Sequence, residues 1–242
     1  MADLFAAGSQ PATVTNRLVA LKAFARWLAD PEDGEGIPNT IGSMKAPRQD
    51  TKVVETLTDD QIRALLKACK GQSLRDRRDE GIVRVMVETG ARAGEVAAMA
   101  VTDVDLLNGS VVIRRGKGGK GRRVPIGPAT TRALDKYLRV RRTRREASRT
   151  DRMWLGEGGR SFGYDGLYKS LKWRAELAGI EHFHPHAMRH TAATRWLAAG
   201  GTESGAMTVM GWSRVDLLRR YTQANRERLA AEEARRLRLG DL

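Results

Sequence analysis

Arg92, Glu95, Lys117, His186, Arg189, Trp212 and Tyr221 have side chains suited to work on one phosphodiester. Breaking such a bond without a metal needs a nucleophile for phosphorus, cations on the nonbridging oxygens, an acid for the departing oxygen, and a scaffold holding all three in line. Arg92 and Arg189 fit the cation role, because guanidinium is planar, permanently charged and able to grip a phosphate with two N–H groups. Glu95 lies three residues after Arg92, on the same face of an expected helix, where its carboxylate can orient a guanidinium. Taken alone, the Arg92–Glu95 spacing reads equally as a surface ion pair. Lys117 sits in the turn Gly116-Lys117-Gly118-Gly119-Lys120-Gly121, from which a long side chain reaches a groove. Neighbouring arginines disfavour its ammonium form and ease proton donation, and nonspecific phosphate contact remains the plain alternative. The turn lacks the Gly-x4-Gly-Lys-Ser/Thr pattern of a nucleotide-binding loop.

His186 and Arg189 are one helical turn apart and share a face. All four histidines fall between His182 and His190, and His186 with His190 has i, i+4 spacing. A metal site is not expected here: the nearest acid, Glu181, lies beside the cluster, and Arg189 between the two histidines repels a cation. Trp212 offers a single N–H donor, and a buried core indole is its plain alternative. Tyr221 is the candidate nucleophile. A phenol titrates near 10, so surrounding cations must favour its phenolate; on its own it could equally be a packing residue.

The elements that would position these groups follow from periodicity and end signals. Val14, Leu18, Leu21, Ala25 and Leu28 predict a helix over 12–29, ended by Pro31. Residues 30–56, rich in Gly, Pro and polar side chains, read as loop and linker. Thr58 with Gln61 forms a capping box ahead of Ile62, Leu65, Leu66 and Cys69. A helix over 76–89 stops at Gly90, and Arg92 with Glu95 opens a short helix to about Ala100. Asn108-Gly109 marks a hairpin, and strands 110–114 and 122–126 flank the glycine-rich turn. Helices are expected over 129–146, 164–178, 186–199, 203–210, 213–221 and 225–238. The fold class is therefore mainly α with a small antiparallel sheet (α+β). The expected domains are an N-terminal helical segment with its linker over 1–50, a second domain over 51–223 that holds the candidate residues, and a helical tail over 224–242.

Composition narrows the partner. The 242 residues are 41% hydrophobic, enough for a core, and carry a net charge of +14 with a pI near 10.5. That excess favours a polyanion, above all nucleic acid. The charge is also clustered: Arg114, Arg115, Lys117, Lys120, Arg122 and Arg123 form one stretch, and Arg139, Arg141, Arg142, Arg144, Arg145, Arg149 and Arg152 another. Arg114, Arg115, Lys120, Arg122 and Arg123 are the expected DNA contacts, whereas the second stretch also reads as a solvated helix face. No apolar run is long enough to span a membrane, and Met1–Phe5 does not read as a secretory leader. The single cysteine, Cys69, excludes an intrachain disulfide, fits a reducing cytoplasm and reads as core.

In this order and at these spacings, Thr89-Gly90-Ala91-Arg92-Ala93-Gly94-Glu95, Lys117 in its β-turn, His186-Ala187-Met188-Arg189-His190, Gly211-Trp212 and Tyr221 resemble the tyrosine recombinases, or phage-type integrases. The likeness runs from about residue 55 to 222. Trp212 takes a variant where histidine is commoner, and Ala91 and Val96 stand where leucines are usual. The resemblance implies site-specific cutting and rejoining of DNA through a 3′-phosphotyrosine, with Tyr221 as nucleophile and no metal, ATP or other cofactor. It implies a homotetramer on two DNA sites, and leaves phage integration, mobile-element transposition, inversion and chromosome dimer resolution as separate uses of the reaction. Residues 1–50 resemble only the later part of the family's N-terminal domain. A start further upstream, a recombination-deficient DNA-binding protein and a minimal recombinase are thus separate readings. A relaxing enzyme of type IB topoisomerase character and a metal-dependent nuclease are the other classes to be tested.

Overall fold

The computed structural model describes residues 4, 6–47, 55–114 and 121–212. The chain divides into two compact units, Met1–Val53 and Val54–Leu242. In the first, helix α1 spans Pro11–Leu28, with proline in its first turn, where a missing N–H costs nothing. Of its expected apolar stripe only Val14 and Leu18 are buried and Leu21 is about half exposed, as are Phe24 and Trp27 outside the stripe. Beyond α1 the chain turns back on the helix: the Glu35 and Ile37 amides donate to the Leu28 carbonyl, and Lys22 Nζ donates to the Gly42 carbonyl at 2.9 Å.

The second unit is built around α3 (Leu74–Thr89). Helix α2 (Asp59–Ala68) precedes it and opens with the expected capping box, Thr58 and Gln61 each bonding the other's backbone N–H. A second box, Ser73 with Asp76, starts α3 two residues earlier than the apolar pattern predicts. Gly90 ends α3 in the left-handed region (φ 61°), which glycine enters without the Cβ penalty. The short α4 (Ala93–Ala97) follows, ending three residues before the expected Ala100.

Strands β1 (Val104–Asp105), β2 (Ser110–Ile113) and β3 (Arg122–Pro125) form an antiparallel meander in the order β1-β2-β3. Val104 pairs with Val111, and Ile113 with Arg122. The Asp105 carboxylate accepts the Asn108 backbone N–H, and Gly109 takes φ 57°, so the Asn-Gly signal does mark a hairpin.

Among the described residues, four further helices follow: α5 (Pro128–Arg142), α6 (Tyr164–Leu177), α7 (Pro185–Ala198) and α8 (Glu203–Met210). Helix α5 stops four residues short of its predicted end. Arg141, read in the sequence as part of a basic surface stretch, is instead buried, and its guanidinium donates to the carbonyls of Thr150, Arg152 and Met153. Those bonds fold the chain after α5 back against it.

The core packs Ile82, Val83, Val85 and Met86 of α3 against Leu134 and Tyr137 of α5, Leu167 and Leu171 of α6, and Trp154. Gly81 permits the close α3–α5 approach, since a Cβ there would lie 3.2 Å from Leu134 and 3.4 Å from Trp154. Cys69 belongs to this core, and burial pushes its thiol up to about 12. Asp79 is fully buried on α3 and accepts from Arg78, Ser170 and Arg174. That network clamps α6 to α3. A smaller apolar cluster, with Ala193, Leu197, Ala206, Met210 and Trp212, joins α7 to α8. Among the described residues, no helix is long and apolar enough to cross a membrane.

Candidate active site

The site forms where the end of α3, the start of α4 and the first turn of α7 meet. Arg92 caps α4, and its backbone N–H and Nη1 both donate to the Glu95 carboxylate at 3.0 Å. Its side chain remains 47% exposed, so Glu95 orients the guanidinium while leaving it open to solvent. Burial of Glu95 opposes its charge, but hydrogen bonds from Arg122 and the Arg92 backbone, with the two nearby guanidiniums, hold its carboxyl below the usual range. Glu95 is therefore a fixed anion at neutral pH.

Arg189 enters from α7 and is only 2% exposed. Its Nη1 donates to the Gly90 carbonyl at 2.6 Å and its Nη2 to the Met210 carbonyl at 2.9 Å. These bonds tie the ends of α3 and α8 to one charge. The Trp212 indole lies 5.1 Å from this guanidinium and is 7% exposed within the α7–α8 cluster. It thus packs where its sequence alternative put it and also flanks Arg189. Ala91 and Val96, the two departures from leucine, are fully buried.

His184, just before Pro185, caps α7: its Nδ1 accepts the Ala187 N–H at 3.1 Å, and its Nε2 lies 3.4 Å from Glu55. His186 projects from the first turn, edge-on to His190 at 4.4 Å. Partial burial, then the charges of Arg189, His184 and Arg92, lower the His186 pKa. Its imidazole is neutral at physiological pH, a form able to accept or donate one hydrogen bond. No metal-binding group of histidines, cysteine and acids occurs among the described residues.

Arg92, Glu95, His186 and Arg189 line one cleft of about 380 Å³ with Tyr164, Tyr168 and His184. Residues 94 apart in the chain thus meet, from Arg92 to His186. Tyr164 and Tyr168, from the first turns of α6, carry no motif and were not among the expected site residues; His184 had a usable signal as a polar residue directly before a helix-starting proline. Trp212 does not line the cleft. Lys117 and Tyr221 lie outside the described residues, as do Arg115, Lys120 and the expected helices over 213–221 and 225–238.

The remaining hairpin cations divide. Arg114 and Arg123 are about two-thirds exposed, paired with Asp103 and with Ser110 and Asp105. Arg122, expected among the DNA contacts, is turned inward instead. Its side chain is 12% exposed and bonds Glu95 at 2.9 Å and the Val209 carbonyl at 2.7 Å.

A mostly helical domain thus brings two arginines and a neutral histidine to one cleft. The chain belongs to the phage integrase family, whose profile matches residues 55–228. It is 30% identical over 231 residues to the tyrosine recombinase XerC of Chromobacterium violaceum, covering 95% of this chain and 75% of that protein. Site-specific recombination is the activity these homologues support. The fold is also that of the XerH site-specific recombinase in a post-cleavage complex with its difH substrate (TM-score 0.76, 20% identity, 96% and 69% of the two chains). It is likewise that of the Tn1549 transposon integrase solved with circular intermediate DNA (TM-score 0.71, 20% identity, 90% and 77%).

Proposed function

We propose that this chain cuts and rejoins double-stranded DNA at specific sites, with Tyr221 as nucleophile. The observation that carries this reading is the convergence of Arg92, His186 and Arg189 on one cleft. The Tyr221 oxygen attacks the scissile phosphorus, the bond to the 5′ oxygen breaks, and a 3′-phosphotyrosine forms. Arg92 and Arg189 neutralise charge growing on the nonbridging oxygens, an effect strongest in a water-poor site. Neutral His186 hydrogen-bonds the same phosphate, and Trp212 holds Arg189 in place. Lys117 delivers a proton to the departing 5′ oxygen. One phosphoester replaces another, so the energy of the cut bond is retained, and a partner strand's 5′ hydroxyl reverses the step without ATP.

Arg114, Arg115, Lys120 and Arg123 contact the DNA backbone and give a steep salt dependence. Four protomers assemble on two DNA sites, and residues 225–238 dock on a neighbouring protomer; deleting residues 224–242 then abolishes assembly on DNA. The decisive experiment is covalent trapping on nicked duplexes drawn from DNA flanking the gene, with Tyr221→Phe as control. A denaturation-resistant adduct in the wild type that vanishes in the variant supports the proposal. Salt-sensitive binding without an adduct makes the chain a non-catalytic DNA binder. Relaxation of any supercoiled plasmid points to a topoisomerase, and loss of cleavage with chelator to a metal-dependent nuclease.

A further inference from the structure

Arg122 has the contacts of an internal strut. Its Nη2 lies 2.9 Å from Glu95 Oε2 and its Nη1 3.5 Å from Oε1, while its Nε donates to the Val209 carbonyl at 2.7 Å. Glu95 in turn accepts the backbone N–H and Nη1 of Arg92. One carboxylate therefore joins an open arginine in the cleft to a covered one at the start of β3. A second observation is independent of these bonds. Gly211, at φ 66°, packs directly over the Arg122 guanidinium, and a Cβ there would lie 2.9 Å from its Nη1 and 3.1 Å from its central carbon. The backbone entering Trp212 thus rests on Arg122. The next carbonyl along α8, that of Met210, is held by Arg189. Two guanidiniums therefore grip consecutive carbonyls at the end of α8, and through Glu95 one of them also sets Arg92.

We propose that Arg122 is a positioning residue that sets the geometry of the phosphate clamp, fixing Arg92 through Glu95 and fixing the end of α8 through the Val209 carbonyl and Gly211. The proposal rests on reading the cleft as the phosphodiester site. Arg122 touches no DNA. Its planar fork is what the site needs, because one group must reach a carboxylate and a carbonyl at once. Lysine supplies the charge without the fork.

The test uses the 242-residue chain with Arg122→Lys, with Glu95→Gln, and with both, each checked for folding by thermal melting. Binding is read by salt titration on a fluorescein-labelled duplex of arbitrary sequence. Chemistry is read as single-turnover adduct formation at saturating nicked duplex from the gene's flanks. Backbone order is read by hydrogen exchange at the Arg92 amide and at Gly211 and Trp212. The expected result for R122K is an unchanged salt slope and affinity within about twofold, with the adduct rate falling about 10- to 100-fold, as a misplaced clamp requires. Exchange at the Arg92 amide quickens, and in the R122K/E95Q double variant the two rate losses do not multiply, because both act through one carboxylate. A salt slope smaller by about one, with an unchanged rate at saturation, would make Arg122 a phosphate contact and overturn the proposal. If the wild type forms no adduct, the recombinase reading fails, yet the exchange measurement still decides: unchanged exchange at Arg92 and Gly211 refutes the strut, and faster exchange upholds it.

Discussion

Gly90 is where backbone conformation and site geometry meet, so Gly90→Ala is the most instructive single change. The residue sits at φ 61°, ψ 17° at the end of α3. An alanine held in this left-handed region costs about 1–2 kcal/mol. Its Cβ would also lie 3.0 Å from Met210 Cγ and 3.3 Å from Met210 Sδ. Methionine is flexible, so that contact adds about 1 kcal/mol or less rather than the upper range for overpacking. The expected loss is therefore about 1–3 kcal/mol, or a melting point lower by roughly 2–12 °C for a unit of this size. Asparagine shares the Cβ contact but tolerates the left-handed backbone better, so G90N should fall between wild type and G90A. Because the Gly90 carbonyl accepts from Arg189, any shift of this turn moves the buried guanidinium and slows adduct formation beyond what the remaining folded fraction explains. Thermal and urea melts of the three proteins, with single-turnover rates at a temperature where all are folded, read both effects. G90A within about 0.5 kcal/mol of wild type would refute the backbone argument. G90N as unstable as G90A would assign the cost to the Met210 contact.

Three further outcomes are expected. Asp79→Asn keeps the shape but takes the carboxylate from Arg78, about 96% covered, and leaves the buried Arg174 with Asp76 alone, and should cost about 3–5 kcal/mol in a urea melt; a loss under about 1 kcal/mol refutes the network. Cys69, its thiol pushed up to about 12 by burial, should resist a disulfide-exchange reagent at pH 8 and react fully in denaturant; rapid labelling of the native protein refutes its placement. The folded pKa of His186 is lowered, so the unfolded chain binds its proton first as pH falls. Its contribution is present above the unfolded value near 6.5 and is lost as pH drops through the folded value. His186→Gln should then flatten the stability profile below about pH 6.5, and an unchanged slope there counts against the shift.

How far the sequence reaches depends on what each residue must bond. The helices of the second unit are legible because capping boxes and apolar spacing are local: Thr58 with Gln61, Gly90, Pro128 and Pro185 mark ends through bonds within a few residues. The meeting of Arg92, His186 and Arg189 in one cleft is legible because the proposed phosphate chemistry restricts residue type and because His186 and Arg189 share a turn. The first unit reads less well, since α1 has the expected stripe but buries only its first two members. The segment after α5 carries no period; it is fixed by Arg141 and by the Met153 amide donating to the Met99 carbonyl.

The arginines show where sequence reading stops. Arg122, Arg141 and Arg189 all donate to backbone carbonyls: Val209; Thr150, Arg152 and Met153; Gly90 and Met210. Every residue offers a carbonyl, so the partner leaves no trace in its own side chain. Several of these partners are also remote, 87 residues away for Arg122 and 99 for one bond of Arg189. A carboxylate partner such as Glu95 can be guessed from charge, and its pairing with Arg92 at i, i+3 was. Its second pairing, to Arg122, crosses from α4 to the sheet and has no spacing to reveal it. A cluster of cations in sequence therefore mixes two populations. Arg114 and Arg123, on the exposed surface of the hairpin, keep most of their hydration and remain able to meet a polyanion. Arg122, one residue from Arg123 on the same strand, faces the opposite side because strand side chains alternate, and there its charge has to be met by the protein. The alternation was readable at 122 and 123. Which of the two faces inward was not, because that depends on where α8 ends.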